Sequence, residues 1–354
     1  MKKRYLILED GTLFQGWAFG ADCEVTGELV FTTSVVGYVE TLTDPNYCGQ
    51  IVMQTFPMIG NYGIMEEDFE AKPSLSGYVV KEFCHRPSNF RCEYDLDTFL
   101  KKHNIPGLCG VDTRELTNRI REYGVVNAMI TEKLPEVFEE ISAYTITGAV
   151  EKVTCGEASV FAAEGEELAH VALLDYGVKK SLIRALTSRG CKVTVLPAFS
   201  TVDEVLAVKP DGVMLSDGPG NPAENSCCID VVKQLVGKLP VFAVGLGHQI
   251  LALAMGGKVK KMKYGHRGGN QPCRDMKGTR TYITSQNHGY AVEAESVEGG
   301  EVRFVNLNDN SCEGIDYPAL KAFSVQFYPD VNPLPKDTAA LFDRFADLMK
   351  GGDL

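Results

Sequence analysis

From His170 onward the chain alternates short, wholly apolar segments with amphipathic ones, and few folds accommodate that alternation. "HVALLDYG" reads as a buried strand, "VKKSLIRALTSRG" as an amphipathic helix stopped at Gly190, and "CKVTVLPA" as a second buried strand. "DEVLAVKP" reads as a helix, "DGVMLSDGPGNP" as a strand running into a Gly-Pro-Gly loop, "CIDVVKQLVG" as a helix and "LPVFAVGLG" as the next strand. Strands without a polar face must be covered on both sides, so the pattern predicts a mostly parallel sheet with helices on both faces. Ligands of such sheets sit at the carboxyl ends of the strands. The Gly218-Pro219-Gly220 loop and Gly245 both fall there.

The first half follows a different pattern. "YLILEDGTLFQGWAFG" alternates around an Asp-Gly turn and signals a hairpin. "GELVFTTSVVGYVETLTDP" gives another strand and a turn at Asp44-Pro45. "VDTRELTNRIREYG" starts a helix at Asp112 and stops it at Gly124. Residues 151–169, "EKVTCGEASVFAAEGEELA", are small, acidic and weakly periodic, which suggests a linker. The expectation is therefore an α/β protein with a mixed α/β domain over 1–150, a linker over 151–169 and a second domain over 170–354. A chain of 354 residues is long enough for each to bury its own core.

Composition removes several function classes. A net charge of −12 without a basic run argues against a nucleic-acid partner. No stretch reaches the roughly 18 apolar residues of a membrane span, and "MKKRYLILEDG" is too short and too acidic for a signal peptide. Eleven dispersed cysteines without a CxxC pair point to a reducing, cytoplasmic setting. No pair among the six histidines has metal-ligand spacing with carboxylates, so no metal is expected.

"VFAVGLGHQILALAMGG", Val241 to Gly257, has the strand–turn–helix context of a nucleophile elbow, where a Ser or Cys sits at the sharp turn. Here the turn residue is Gly245, which offers no nucleophile. Glycine adopts the strained backbone of such a turn freely, so the junction can persist without its chemistry.

Across essentially its whole length the chain resembles the small, glutamine amidotransferase subunits of carbamoyl phosphate synthetase. The stretches that carry the resemblance are "FTTSVVGYVETLTDPNYCGQIV", "FPMIGNYGI", "RPSNFR" and "IPGLCGVDTRELTNRIRE" in the first half. In the second half they are "LSDGPGNP", "GLGHQILALAMGG", "YGHRGGNQP", "TSQNHGYAV", "VNLNDNSCEG" and "AFSVQFYPDVNP". The resemblance implies a small-subunit N-terminal domain and a flavodoxin-like class I glutaminase domain. It also implies a large synthetase subunit as partner, which uses ATP, Mg and bicarbonate; no cofactor is implied for this chain.

In that family a Cys–His–Glu triad hydrolyses glutamine: the thiolate attacks the amide, the His carries the proton and the Glu orients the His. The Cys of "GxCLGHQ" matches Gly245, and the His and Glu of "HPE" match Tyr328 and Asp330. All three positions are replaced. Tyr328 has an unperturbed pKa near 10, far from an imidazole's working range, and Asp330 would have no imidazole to orient. Cys273, in a loop past "HRGGNQP", and Cys191, at a strand start, lack the elbow's geometry. His248 matches a family His outside the triad and reads as structural, as do His266 and His288. His85, His103 and His170 show no constellation.

The matching glutamine pocket comprises Ser34, Gly218, Gly220, Leu246, Gln249, Asn287, Gly289 and Tyr290. Its oxyanion donors would be the backbone N–H groups of Leu246 and of one glycine in the Gly-Pro-Gly loop. Asp217 adds a carboxylate nearby, and Tyr328 is bulkier than His. The expected function is a small subunit that has lost glutaminase activity within an ammonia-using complex, supplying carbamoyl phosphate for pyrimidine and arginine synthesis. A glutamine-binding regulatory module and a glutaminase of unrecognised mechanism are the alternatives.

Overall fold

The computed structural model describes residues 2–134, 138–329 and 337–353, and the chain divides into two units, Met1–Thr147 and Gly148–Leu354. Asp330 lies outside the described residues.

In the first unit the Asp10-Gly11 turn produces the expected hairpin, β1 (Lys3–Leu8) against β2 (Leu13–Gly20). There follow β3 (Val25–Thr32), α1 (Tyr38–Leu42), β4 (Gln50–Gln54), β5 (Met58–Ile59), β6 (Gly77–Val80) and β7 (Glu82–Phe83). The unit ends with α2 (Leu96–Lys102), β8 (Pro106–Cys109), α3 (Thr113–Tyr123), β9 (Val126–Thr131) and α4 (Glu139–Ser142). Asp112 starts α3 as expected, its side chain accepting from the N–H groups of Arg114 and Glu115 at 3.0 Å.

Among the described residues, seven strands of this mixed α/β unit close into a barrel in the order β1-β2-β8-β6-β4-β3-β9. Closure was not legible in the sequence, because it rests on the distant pairing of β1 with β9. Strand periodicity sorts the apolar residues into two clusters. Val30, Val52 and Val80 pack with Val39 of α1 and Phe99 of α2, while Leu29, Ile51 and Val79 pack with Leu116 and Ile120 of α3.

The second unit begins earlier than expected. The stretch 151–169 is not a linker: α5 (Ala149–Val153) and β10 (Ser159–Phe161) belong to this unit, and β10 pairs with its sheet. Val150 reaches the core despite the acidic composition around it. The predicted alternation then appears as β11 (Ala169–Asp175), α6 (Lys180–Thr187), β12 (Cys191–Pro197), α7 (Val202–Ala207), β13 (Gly212–Leu215), α8 (Ser226–Leu235), β14 (Val241–Val244) and α9 (Leu246–Ala254). After it come β15 (Val259–Asp275), β16 (Thr281–Val292), β17 (Glu301–Asn306), β18 (Cys312–Tyr317), β19 (Ala322–Val325) and α10 (Ala340–Met349).

The parallel core runs β12-β11-β13-β14-β19, the flavodoxin-like order. Separate apolar clusters cover its two faces, one including α8 and α9, the other α6 and α10. The sheet continues antiparallel through β18, β16, β15 and β17. Its long β15–β16 hairpin carries "YGHRGGNQP" and "TSQNHGYAV", polar segments without apolar alternation, and its register breaks between Lys261 and His266 and between Gly268 and Gln271. Cys273 is thus a buried strand residue rather than a loop residue.

Candidate functional site

The parallel strands β13 and β14 end side by side, and each passes into a glycine-containing turn. Gly245 joins β14 to α9 with φ 56° and ψ −113°, a conformation that costs a residue with a side chain about 1–3 kcal/mol. Its N–H donates to Val325 O at 2.9 Å, which ties the turn to the end of β19. Gly218 follows β13 so closely against the Tyr176 carbonyl that a Cβ there would overlap it.

Two backbone donors, at Leu246 and at the first glycine of the Gly-Pro-Gly loop, converge on one oxygen. Leu246 N–H and Gly218 N–H each donate to Asp217 Oδ1, both at 2.8 Å. Gly245 itself provides no side-chain cap for α9, so the buried Asp217 carboxylate meets the positive end of that helix. A Cβ built on Gly245 would overlap Asp217 Oδ1 and Cγ and lie 2.7 Å from Oδ2. Beside it, Lys179, Leu182, Asp217, Val244 and Tyr328 line a hollow of about 20 Å³, roughly the space for one water. Tyr328 pairs through its backbone N–H with Ser285 O at 2.9 Å, and its ring lies under Lys179 Nζ, 3.2 Å from the centroid. Lys179 had no sequence signal, since its role arises only where the start of α6 meets the end of the sheet.

The remaining expected pocket residues are placed unevenly. Gln249, on α9, donates both amide hydrogens within the fold, to Tyr290 O at 2.9 Å and to Gln326 Oε1 at 2.8 Å. Asn287 and Gly289 flank His288 on β16, and Gly220 takes a left-handed turn with φ 86°. Ser34 belongs to the first unit, in the bend after β3, where Thr32 Oγ1 donates to its hydroxyl at 3.3 Å.

Neither alternative thiol is activated. Burial pushes both Cys273 and Cys191 above the usual thiol range, and the thiolate is the nucleophilic form. His248 is fully buried, its Nδ1 2.8 Å from Ser324 Oγ, and burial holds its pKa down to about 3. It is neutral at physiological pH.

One grouping was missed. His266, His288 and Glu313, all buried, bring their ligating atoms within 4.8 Å of one another. No pair among the histidines has metal-ligand spacing with carboxylates along the sequence, yet the fold brings His266 and His288 together with Glu313; the residues lie on three strands of the antiparallel flank that the sequence did not resolve. The sequence signals were His266 in "YGHRGGNQP", His288 in "TSQNHGYAV" and the acidic residues of "VNLNDNSCEG", far apart along the chain. Gln286 Oε1 lies between the rings, 2.8 Å from His266 Nδ1 and 3.0 Å from His288 Nε2. Outside the group, His266 Nε2 meets Asp309 at 3.0 Å and His288 Nδ1 donates to Tyr290 O at 2.8 Å. Burial works against a charged His266, but hydrogen bonds that its ring donates to the Asp309 and Glu313 carboxylates raise its pKa to about 9. Burial drives His288 well below the ordinary value, with the neighbouring His266 adding to it. In this cluster the charged pair is His266 with the exposed Asp309, while burial pushes the Glu313 carboxyl above its ordinary value despite the His266 beside it, and Glu313 Oε2 has no hydrogen-bond partner.

Comparison with known proteins gives a consistent picture over nearly the full length. Residues 6–130 match the family model described as carbamoyl-phosphate synthase small chain, CPSase domain, and residues 172–348 match that of glutamine amidotransferase class-I. The carbamoyl phosphate synthase small chain of Oceanobacillus iheyensis is 47% identical over 356 residues, covering 99% of this chain and 97% of that protein. That of Staphylococcus haemolyticus is 45% identical over 355 residues, covering 99% and 97%. Among solved structures, a glutamine amidotransferase from Thermotoga maritima aligns with 52% of this chain and 94% of its own, at 15% identity and a TM-score of 0.39.

Proposed function

The chain belongs to the carbamoyl-phosphate synthase small chain family, and we propose that within it this member is a small subunit without glutaminase activity. Gly245 carries the reading: it stands at the turn that matches the family's nucleophile and has no side chain to attack an amide. Tyr328, at the position matching the proton carrier, is engaged with Lys179 rather than with a nucleophile.

The complex then draws nitrogen from free ammonia, while ATP, Mg and bicarbonate are handled by the large partner. The chain acts in the cytoplasm as a structural or regulatory subunit, and the product feeds pyrimidine and arginine synthesis. Two observations weigh against the alternatives. Gln249 spends its amide hydrogens inside the fold, which speaks against a glutamine-binding module. The raised thiols of Cys273 and Cys191 and the buried His248, whose basicity burial suppresses, speak against a second catalytic mechanism.

The test is carbamoyl phosphate formation by this chain copurified with its large partner. Ammonia is expected to support synthesis, and glutamine to give no product above background. Glutamine-driven synthesis by the unmodified pair would refute the reading.

A further inference from the structure

Loss of the nucleophile accounts for Gly245 but not for what lies beside it. The volume that a side chain at 245 needs is taken by the Asp217 carboxylate, and the backbone donors that would serve an oxyanion both point at Asp217 Oδ1. We propose that Asp217 is a specificity-determining residue of this chain, an internal anion that occupies the oxyanion cradle and shuts the site to an external carboxamide.

Three physical features support this role. Two N–H groups on one carboxylate oxygen form charge-assisted bonds, stronger than those an uncharged amide oxygen would make. The start of α9, a nine-residue helix, adds a further preference for negative charge. The anion is also tethered through the adjoining residue, Gly218, so any free competitor faces an intramolecular rival.

Asp217 and Gly245 are accordingly sterically coupled. With the carboxylate in this pose no side chain fits at 245, and with a side chain at 245 the carboxylate must leave its two donors. The role given to Asp217 rests on reading the site as an inactive glutaminase, which the synthesis assay tests separately.

The coupling is measurable in the full chain with Gly245→Ala, Asp217→Ala and the double variant. Gly245→Ala is expected to lower Tm by about 10 °C in the native background and by less than about half as much when Asp217 is already alanine. Amide exchange at Leu246 and Gly218 is expected to be at least about tenfold faster in Asp217→Ala, in line with a lost bond of roughly 1.4 kcal/mol. Formate, the smallest carboxylate, should restore protection there where chloride at equal ionic strength does not. Additive Tm changes, exchange unaffected by loss of Asp217, or exchange that stays fast in formate would each overturn the proposal. If Gly245→Ala folds in neither background, the exchange of Asp217→Ala decides alone.

Discussion

The Gly245 turn and the His266 cluster lie in the same unit, and both gather groups suited to chemistry, but they are built differently. At the turn the polar atoms that matter are backbone: Leu246 N–H, Gly218 N–H and the Gly245 N–H bonded to Val325 O. At the cluster they are side chains, with His266, His288, Gln286, Asp309 and Glu313 depending on one another. A backbone site can lose a catalytic side chain and keep its shape, because glycine tolerates the strained conformation and a neighbouring carboxylate takes up the donors. A side-chain network cannot, because each member removed leaves a buried partner unsatisfied. Chemistry can vanish from the first region at little cost in stability. The second is held in place by folding itself.

The largest expected contrast is in activity. Triad members act as a unit, and losing the nucleophile costs roughly a million-fold in turnover. Gly245→Cys alone is therefore expected to leave glutamate release at background. Tyr328→His and Asp330→Glu would be needed as well, with Asp217 displaced from the turn. Appreciable release by Gly245→Cys alone, in an assay of the purified chain with glutamine, would break the contrast at its strongest point.

How far each region could be read from the sequence follows from the same difference. The turn was legible because Val241 to Val244 are apolar, Gly245 and Gly247 bracket the junction and an apolar helix follows, all within one local segment. The donor pair at Leu246 and the Gly-Pro-Gly loop was implied only by the family resemblance. The contact of Asp217 with those donors did not, since it depends on a side-chain conformation across two strands. The cluster was illegible because its residues come from β15, β16 and β18, whose polar, glycine-bearing sequences lack the alternation that marks β11 or β14. Barrel closure in the first unit stayed hidden for a related reason, the distance in sequence between β1 and β9.

Stability gives a second comparison of the two regions. His266→Phe removes the cation facing Asp309 and Glu313 and leaves the buried Glu313 without it. Because Asp309 is exposed and burial already raises the Glu313 pKa, the expected cost is about 1–3 kcal/mol, or several degrees in Tm, while the synthesis of carbamoyl phosphate from ammonia by the folded complex is expected to persist. A calorimetric loss below about 1 kcal/mol, the scale of a surface pair, would show that the cluster does not stabilise the unit.

The pH dependence sharpens the same point. Because His266 is raised from 6.5 to about 9 in the folded chain, its contribution is full below about 6.5 and is lost as pH rises through about 9. The rise corresponds to roughly 3 kcal/mol at most. His288, lowered by burial, acts in the other direction and erodes stability as pH falls below 6.5. Unfolding midpoints followed from pH 6 to pH 10 are expected to fall on the alkaline side in the native chain and to flatten there in His266→Gln. An unchanged alkaline limb in that variant would contradict the assignment.

The smallest effect is expected at Lys179. Replacing it with Met removes the cation over the Tyr328 ring, at a cost of about 1 kcal/mol and without altering the alkaline limb that His266 sets. Thermal melts of Lys179→Met and His266→Gln across the same pH series would separate the two regions.

The central claim, that this chain keeps the scaffold of a glutaminase turn without its nucleophile, is tested most directly by intact-mass spectrometry after exposure to a glutamine analogue bearing a chloroketone. An active thiol in such a site forms one covalent adduct, and glutamine protects it. No glutamine-protectable adduct is expected on this chain, alone or with its large partner. A stoichiometric adduct that glutamine prevents, on any residue, would contradict the account.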